Sequence, residues 1–210
     1  MSSLLVASPF GDLTAPGRFG KGGDAPTPVT IRERNDLQFY TLSVNAGRDA
    51  GVAEAVLSTT GLTLPSGPKA ASKDSLALIG TAPGQWLVAV QGEGSAQFDA
   101  LRAPLAEMAT IVEQTDGKAV VEISGSRVGD TLAKGCMIDL HPRVFGPGDA
   151  ATTPIALIDC LIWQINAGPT YVLAVPSSYA ASFWSWLTSS AAEFGYEVAQ
   201  PALKLKQLSF

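Results

Sequence analysis

Two stretches of this chain carry the same pattern at a fixed separation, and that repetition constrains the fold more than any single motif. Trp86-Leu87-Val88-Ala89-Val90 aligns with Tyr171-Val172-Leu173-Ala174-Val175, an offset of 85 residues counted from Trp86 to Tyr171. The alignment continues without a gap. It sets Thr81-Ala82-Pro83-Gly84 against Asn166-Ala167-Gly168-Pro169 and Phe98 against Phe183. A supersecondary unit used twice predicts two halves, each covering the sheet face that the other would leave open.

Periodicity fills in each half. In the first, residues 38–45 read as a strand, 50–60 as a helix ending at Gly61, and 75–82 and 85–91 as strands turned at Pro83-Gly84. Ser95 is placed to cap a helix whose apolar positions Phe98, Leu101, Leu105 and Met108 recur every three or four residues, with Pro104 as a kink, and 110–115 closes the unit. In the second, 118–124 reads as a strand and 127–134 as a helix. Strands at 153–165 and 170–175 follow, then a helix capped by Ser178 and running to about Phe194, then a strand at 196–199. The expected class is therefore α+β, two β-α-β-β-α-β (ferredoxin-like) halves over residues 38–115 and 116–199, forming one domain over 38–210 with a short C-terminal tail.

Residues 1–37 differ from the rest. Pro9, Pro16, Pro26 and Pro28 alternate with Gly11, Gly17, Gly20, Gly22 and Gly23, which predicts an extended or flexible arm lying over a partner or free in solvent. Arg18-Phe19-Gly20-Lys21-Gly22-Gly23 is not a phosphate loop, because no strand precedes it, no helix follows, and Gly-Lys is not followed by Ser or Thr. Charged residues make up only 16% of the chain against 46% apolar. That balance fits a surface partly covered by a partner, or a chain simply rich in alanine. The net charge of −5 and the lack of a basic cluster argue against nucleic acid. No apolar run is long enough to span a membrane, and the first ten residues lack an export signal, so a cytoplasmic location is expected. Cys136 and Cys160 should then be reduced, and two thiols with one histidine fall short of a zinc set.

The chemistry-bearing residues gather in Lys134-Gly135-Cys136-Met137-Ile138-Asp139-Leu140-His141-Pro142, continued by Arg143-Val144-Phe145-Gly146-Pro147-Gly148. His141 is the one histidine; an acid, a base or an interface sensor is conceivable there, but a histidine before proline in a turn is more often a structural hydrogen-bonding group. Asp139 reads as a turn carboxylate or an interface partner. Lys134 suits the end of its helix, and Cys136 reads as a buried, inert thiol. Gly125-Ser126-Arg127-Val128-Gly129 joins strand to helix, where an anion can sit, but lacks the dinucleotide spacing. Of Phe183, Trp184, Trp186 and Phe194, at least one aromatic should face outward as an interface anchor, since the first three cannot share one narrow stripe.

These pieces in their order resemble the gamma subunit of heterotetrameric sarcosine oxidase. The likeness runs from about residue 36 to 198 and is sharp from about residue 116: Val121-Glu122-Ile123-Ser124-Gly125-Ser126-Arg127, the Gly-Cys-x-x-Asp-Leu-His-Pro run, Phe145-x-x-Gly148, Thr153, Tyr171–Val175, and the aromatic helix through Leu187. The resemblance implies a fold like the folate-binding domain of glycine-cleavage aminomethyltransferase. It further implies a noncatalytic subunit of a flavoenzyme that demethylates sarcosine to glycine, hydrogen peroxide and a formaldehyde unit captured by tetrahydrofolate as the 5,10-methylene form. Its partners would be the alpha, beta and delta subunits, with FAD, FMN, NAD, tetrahydrofolate and zinc carried by them, and no catalytic, cofactor or metal residue on this chain. A stand-alone folate-binding one-carbon-transfer protein is the alternative. Lys-Gly-Cys also occurs in folate-binding relatives that assist iron–sulfur enzymes, but Met137-Ile138-Asp139 departs from their continuation.

Overall fold

The computed structural model describes residues 8–21, 27–92 and 96–202. In chain order the elements are β1 (Gly17–Phe19), β2 (Val29–Glu33), β3 (Leu37–Val44), α1 (Asp49–Thr60), β4 (Ala70–Lys73), β5 (Leu76–Ala82), β6 (Gln85–Gln91), α2 (Ala96–Leu105) and β7 (Ala109–Glu113). The second half continues with β8 (Lys118–Ser124), α3 (Val128–Ala133), β9 (Ala150–Ile155), β10 (Ile158–Asn166), β11 (Thr170–Pro176), α4 (Ala180–Ala191) and β12 (Tyr196–Val198). A five-stranded sheet runs β4-β5-β6-β3-β7 and a seven-stranded sheet runs β1-β12-β2-β8-β11-β10-β9.

The two sheets lie face to face. Phe39, Ile79, Leu87 and Ala89 of the smaller sheet meet Val120, Ala150, Leu161, Trp163, Val172 and Ala174 of the larger. The alternate residues point outward: Tyr40, Leu42, Leu78, Val88 and Val90 pack under α1 and α2, while Val121, Ile123, Ile162 and Leu173 pack under α3 and α4. Strict period-two alternation in β6 and β11 is what lets both faces be apolar. The sheets are also stitched along one seam. The Ala70 amide donates to the Gly148 carbonyl (2.8 Å), the Ala150 amide to the Pro68 carbonyl (3.0 Å), and the Lys69 ammonium contacts the Asp149 carboxylate.

The element order differs from the expected one by one strand in each half, giving β-α-β-β-β-α-β. Residues 153–165 are not one strand but parts of β9 and β10, folded back at Ala156 and Leu157, whose φ values are 51° and 66°. A two-residue hairpin with both residues left-handed normally uses Asn or Gly, so Ala-Leu carried no turn signal. β4 was likewise hidden, because Ala70-Ala71-Ser72-Lys73 lacks β-branched residues. Ser178 falls in a 3₁₀ turn, and no side chain caps α4. The proposed Ser95 cap lies outside the described residues.

The segment expected as an arm supplies β1 and β2. β2 is threaded between β8, to which it is antiparallel, and β12, to which it is parallel. Val29, Ile31 and Glu33 alternate inward, and the buried Glu33 carboxylate accepts from Thr14 Oγ1 (2.8 Å) and from the Ser8 hydroxyl. Phe10 closes on the Trp184 ring at 5.5 Å.

Candidate functional site

Residues 136–149 form a strap along β9, pinned at one end by the bridge Cys136↔Ile155 and at the other by the Lys69–Asp149 seam. In its first half Cys136, Ile138 and Leu140 pack on the core beneath, while Met137, Asp139 and His141 face out. Met137 is 73% exposed, and Leu157 on the β9–β10 turn is 93% exposed. The strap then turns. Asp139 Oδ1 accepts from the His141 amide (2.8 Å), His141 Nδ1 accepts from the Arg143 amide (3.2 Å), and Phe145 drops into the core against Tyr171. Asp149 Oδ2 accepts from the Gly146 amide (2.8 Å); that bond, with the Lys69 contact, holds its carboxyl below the usual range.

Other singled-out residues hold the chain together. Lys134 reaches the C-terminal end of α4 rather than its own helix, donating to the Ser190 carbonyl (2.5 Å) and lying over the Phe194 ring. Cys136, half-buried rather than buried as expected, and buried Cys160 are free thiols, and burial raises both above the ordinary thiol range. Gly125 has φ 119°, and a Cβ there would stand 2.3 Å from the Pro28 carbonyl oxygen, so glycine lets β2 pass. The Arg127 amide already donates to Pro28 (3.1 Å), which occupies the helix start considered for an anion. The expected outward aromatic is corrected: Phe183 is buried, Trp184 is buried under Phe10, half-buried Trp186 lies under Gly135, where a Cβ would meet its ring at 2.6 Å, and half-buried Phe194 lies under Arg127 and Lys134. Cover from two distant segments lets α4 be aromatic on more than one stripe.

Between the sheets, each end of the shared core opens into a cleft. At one end Arg34 grips Asp36 through two bonds (2.8 and 2.9 Å) and Glu122 through a third (2.7 Å), and Gln91 donates to Asp36 (2.9 Å). Burial opposes the charge on Arg34, yet the bond and charge of Asp36, backed by Glu122, outweigh it and raise the guanidinium above its ordinary value. This cluster escaped sequence reading; Glu122 inside an apolar strand was the available signal. At the other end an open cleft of about 460 Å³ is lined by Lys118, Asp159, three threonines and two glutamines over a wall of Leu87, Leu161 and Ala174.

Among the described residues no three of His, Cys, Asp and Glu gather as metal donors, and no helix is long and apolar enough to cross a membrane. A pterin needs a buried carboxylate, but Glu33 and Asp36, the two buried acids among the described residues, are both engaged.

The fold places the chain in a known structural class. Aminomethyltransferase T of the glycine cleavage system from Bartonella henselae aligns over 80% of this chain and 50% of its own length, with a TM-score of 0.55 at 13% identity, a likeness of fold alone. A chain of the heterotetrameric sarcosine oxidase from Corynebacterium sp. U-96, solved in complex with pyrrole 2-carboxylate, aligns with a TM-score of 0.72 at 28% identity, over 81% of this chain and 87% of that one. The sarcosine oxidase subunits gamma of Corynebacterium sp. strain P-1 and of Arthrobacter sp. are 33% and 32% identical, each over 72% of this chain and over 73% and 74% of their own lengths. The model of the sarcosine oxidase gamma subunit family matches residues 45–193. This chain belongs to the sarcosine oxidase gamma subunit family.

Proposed function

We propose that this chain is the noncatalytic gamma subunit of a cytoplasmic heterotetrameric flavoenzyme that oxidatively demethylates sarcosine to glycine, hydrogen peroxide and 5,10-methylenetetrahydrofolate or formaldehyde. The family match over residues 45–193 carries the reading. FAD, FMN, NAD, tetrahydrofolate and zinc belong to the alpha, beta and delta partners, and this chain braces them through a rigid, doubly layered scaffold. The two sheets are read as diverged copies of one unit. The bonding of Asp139, His141 and Lys134 within the chain supports a structural rather than chemical role for each.

The test is a tagged pull-down from the native cytoplasm with mass spectrometry and an absorption spectrum. A yellow complex with three further subunits is the expected result; a colourless monomer that binds folate would favour the free-standing one-carbon-transfer protein. In the assembled complex, His141→Asn should leave turnover within a few-fold of the parent, whereas a loss of orders of magnitude would assign the imidazole to the chemistry.

A further inference from the structure

The charged pair in the open cleft is held apart by the strand register. Lys118 pairs with Pro176 across β8 and β11, and Leu161 pairs with Ala174 across β11 and β10. Asp159 lies two residues before Leu161 on β10, and on β9 its partner is Pro154. Lys118 shares the inward face of Val120, and Asp159 that of Leu161, so both charges line the inter-sheet cleft. Two strand spacings put their backbones roughly 10 Å apart. Lys118 is paired with Pro176 and Asp159 with Pro154, and neither proline side chain offers a donor or acceptor. Among the described residues neither Lys118 nor Asp159 joins an ion pair.

A cleft with one cation, one anion and no other charge sorts ligands by sign. A simple anion drawn to Lys118 also meets Asp159, and a simple cation drawn to Asp159 also meets Lys118, so either loses most of its electrostatic gain. A molecule with a carboxylate at one end and an ammonium at the other satisfies both. Thr41, Thr152 and Gln85 add hydroxyl and amide groups around the wall of Leu87, Leu161 and Ala174, which suits a short apolar spacer between the charged ends. The volume is within the range of small-molecule pockets.

We infer that this cleft binds a small zwitterion, a short amino acid whose carboxylate meets Lys118 and whose ammonium meets Asp159. The inference stands on the cleft's geometry and goes beyond the scaffold role. It is tested on the full chain in its purified native complex, reading the rate at which an amine-reactive reagent acylates Lys118 by peptide mass spectrometry. With 4-aminobutyrate at about four times its dissociation constant, Lys118 should react about fivefold more slowly. Butyrate and butylammonium alone should give little protection, and Asp159→Asn should abolish the effect of 4-aminobutyrate. Equal protection by butyrate would make the cleft a plain anion site and overturn the inference. So would the absence of protection by 4-aminobutyrate. A Lys118 unreactive in the complex but reactive in the dissociated chain would mean that a partner subunit fills the cleft instead.

Discussion

At one end of the inter-sheet space Arg34, Asp36, Glu122 and Gln91 close on one another; at the other, Lys118 and Asp159 stand apart across a proline. The 85-residue offset carries Asp74 onto Asp159 and Gln91 onto Pro176. Gln91 donates an amide to Asp36, while Pro176, in the matching position, can donate nothing. One end of the inter-sheet space has thus turned its polar groups into internal glue, and the other keeps them available. A buried network is satisfied by the chain itself, so it cannot also serve a ligand without being dismantled.

The largest expected effect tests the closed end. Arg34→Met should destabilise the chain by about 3–5 kcal/mol, because it strands two carboxylates beside the core; a change below 1 kcal/mol in denaturant titration would mean that the network contributes little. Asp149→Asn, at the seam between the sheets, should cost about 1–2 kcal/mol near pH 7, through the lost charge-assisted bond from Gly146 and the lost Lys69 contact. Its sign with pH follows from the lowered carboxyl: the contribution is complete above the unfolded value near 4 and fades as the pH falls through the depressed folded value. Parent and variant should therefore converge in acid unfolding curves, and a gap that widened below pH 4 would reverse the assignment. The smallest effect belongs to the open end, where Lys118→Met should alter stability by no more than about 0.5 kcal/mol. A loss as large as that of Arg34→Met would erase the distinction between the ends.

Local signals made much of the fold legible. β6 and β8 occupy the expected residues 85–91 and 118–124, and α1 ends at a left-handed Gly61, because apolar alternation and a glycine stop act over a few neighbours. What the sequence hid depends on distant partners. Val29-Thr30-Ile31-Arg32-Glu33 is a plain alternating strand masked by the prolines and glycines around it. The aromatic excess of α4 makes sense only once Phe10 and Gly135 are seen to cover Trp184 and Trp186. The strap stood out as a motif, yet only the structure reveals its alternation of Cys136, Ile138 and Leu140 inward with Met137, Asp139 and His141 outward. Lys118 and Asp159 carried no mark at all, since register across three strands brings them into one cleft.

The threading of β2 has a consequence for biosynthesis. Its two neighbours are β8, nearly ninety residues later, and β12, the last strand described. As the chain emerges from the ribosome, the smaller sheet has all its strands by Glu113, whereas the larger one must hold β2 unpaired until β8 arrives and cannot add β12 until Val198 is made. Such long-range pairing is slow and leaves sheet edges open meanwhile. The N-terminal half is therefore the natural nucleus, and the larger sheet is where a newly made chain is most exposed to chaperones or to misassociation before it matures.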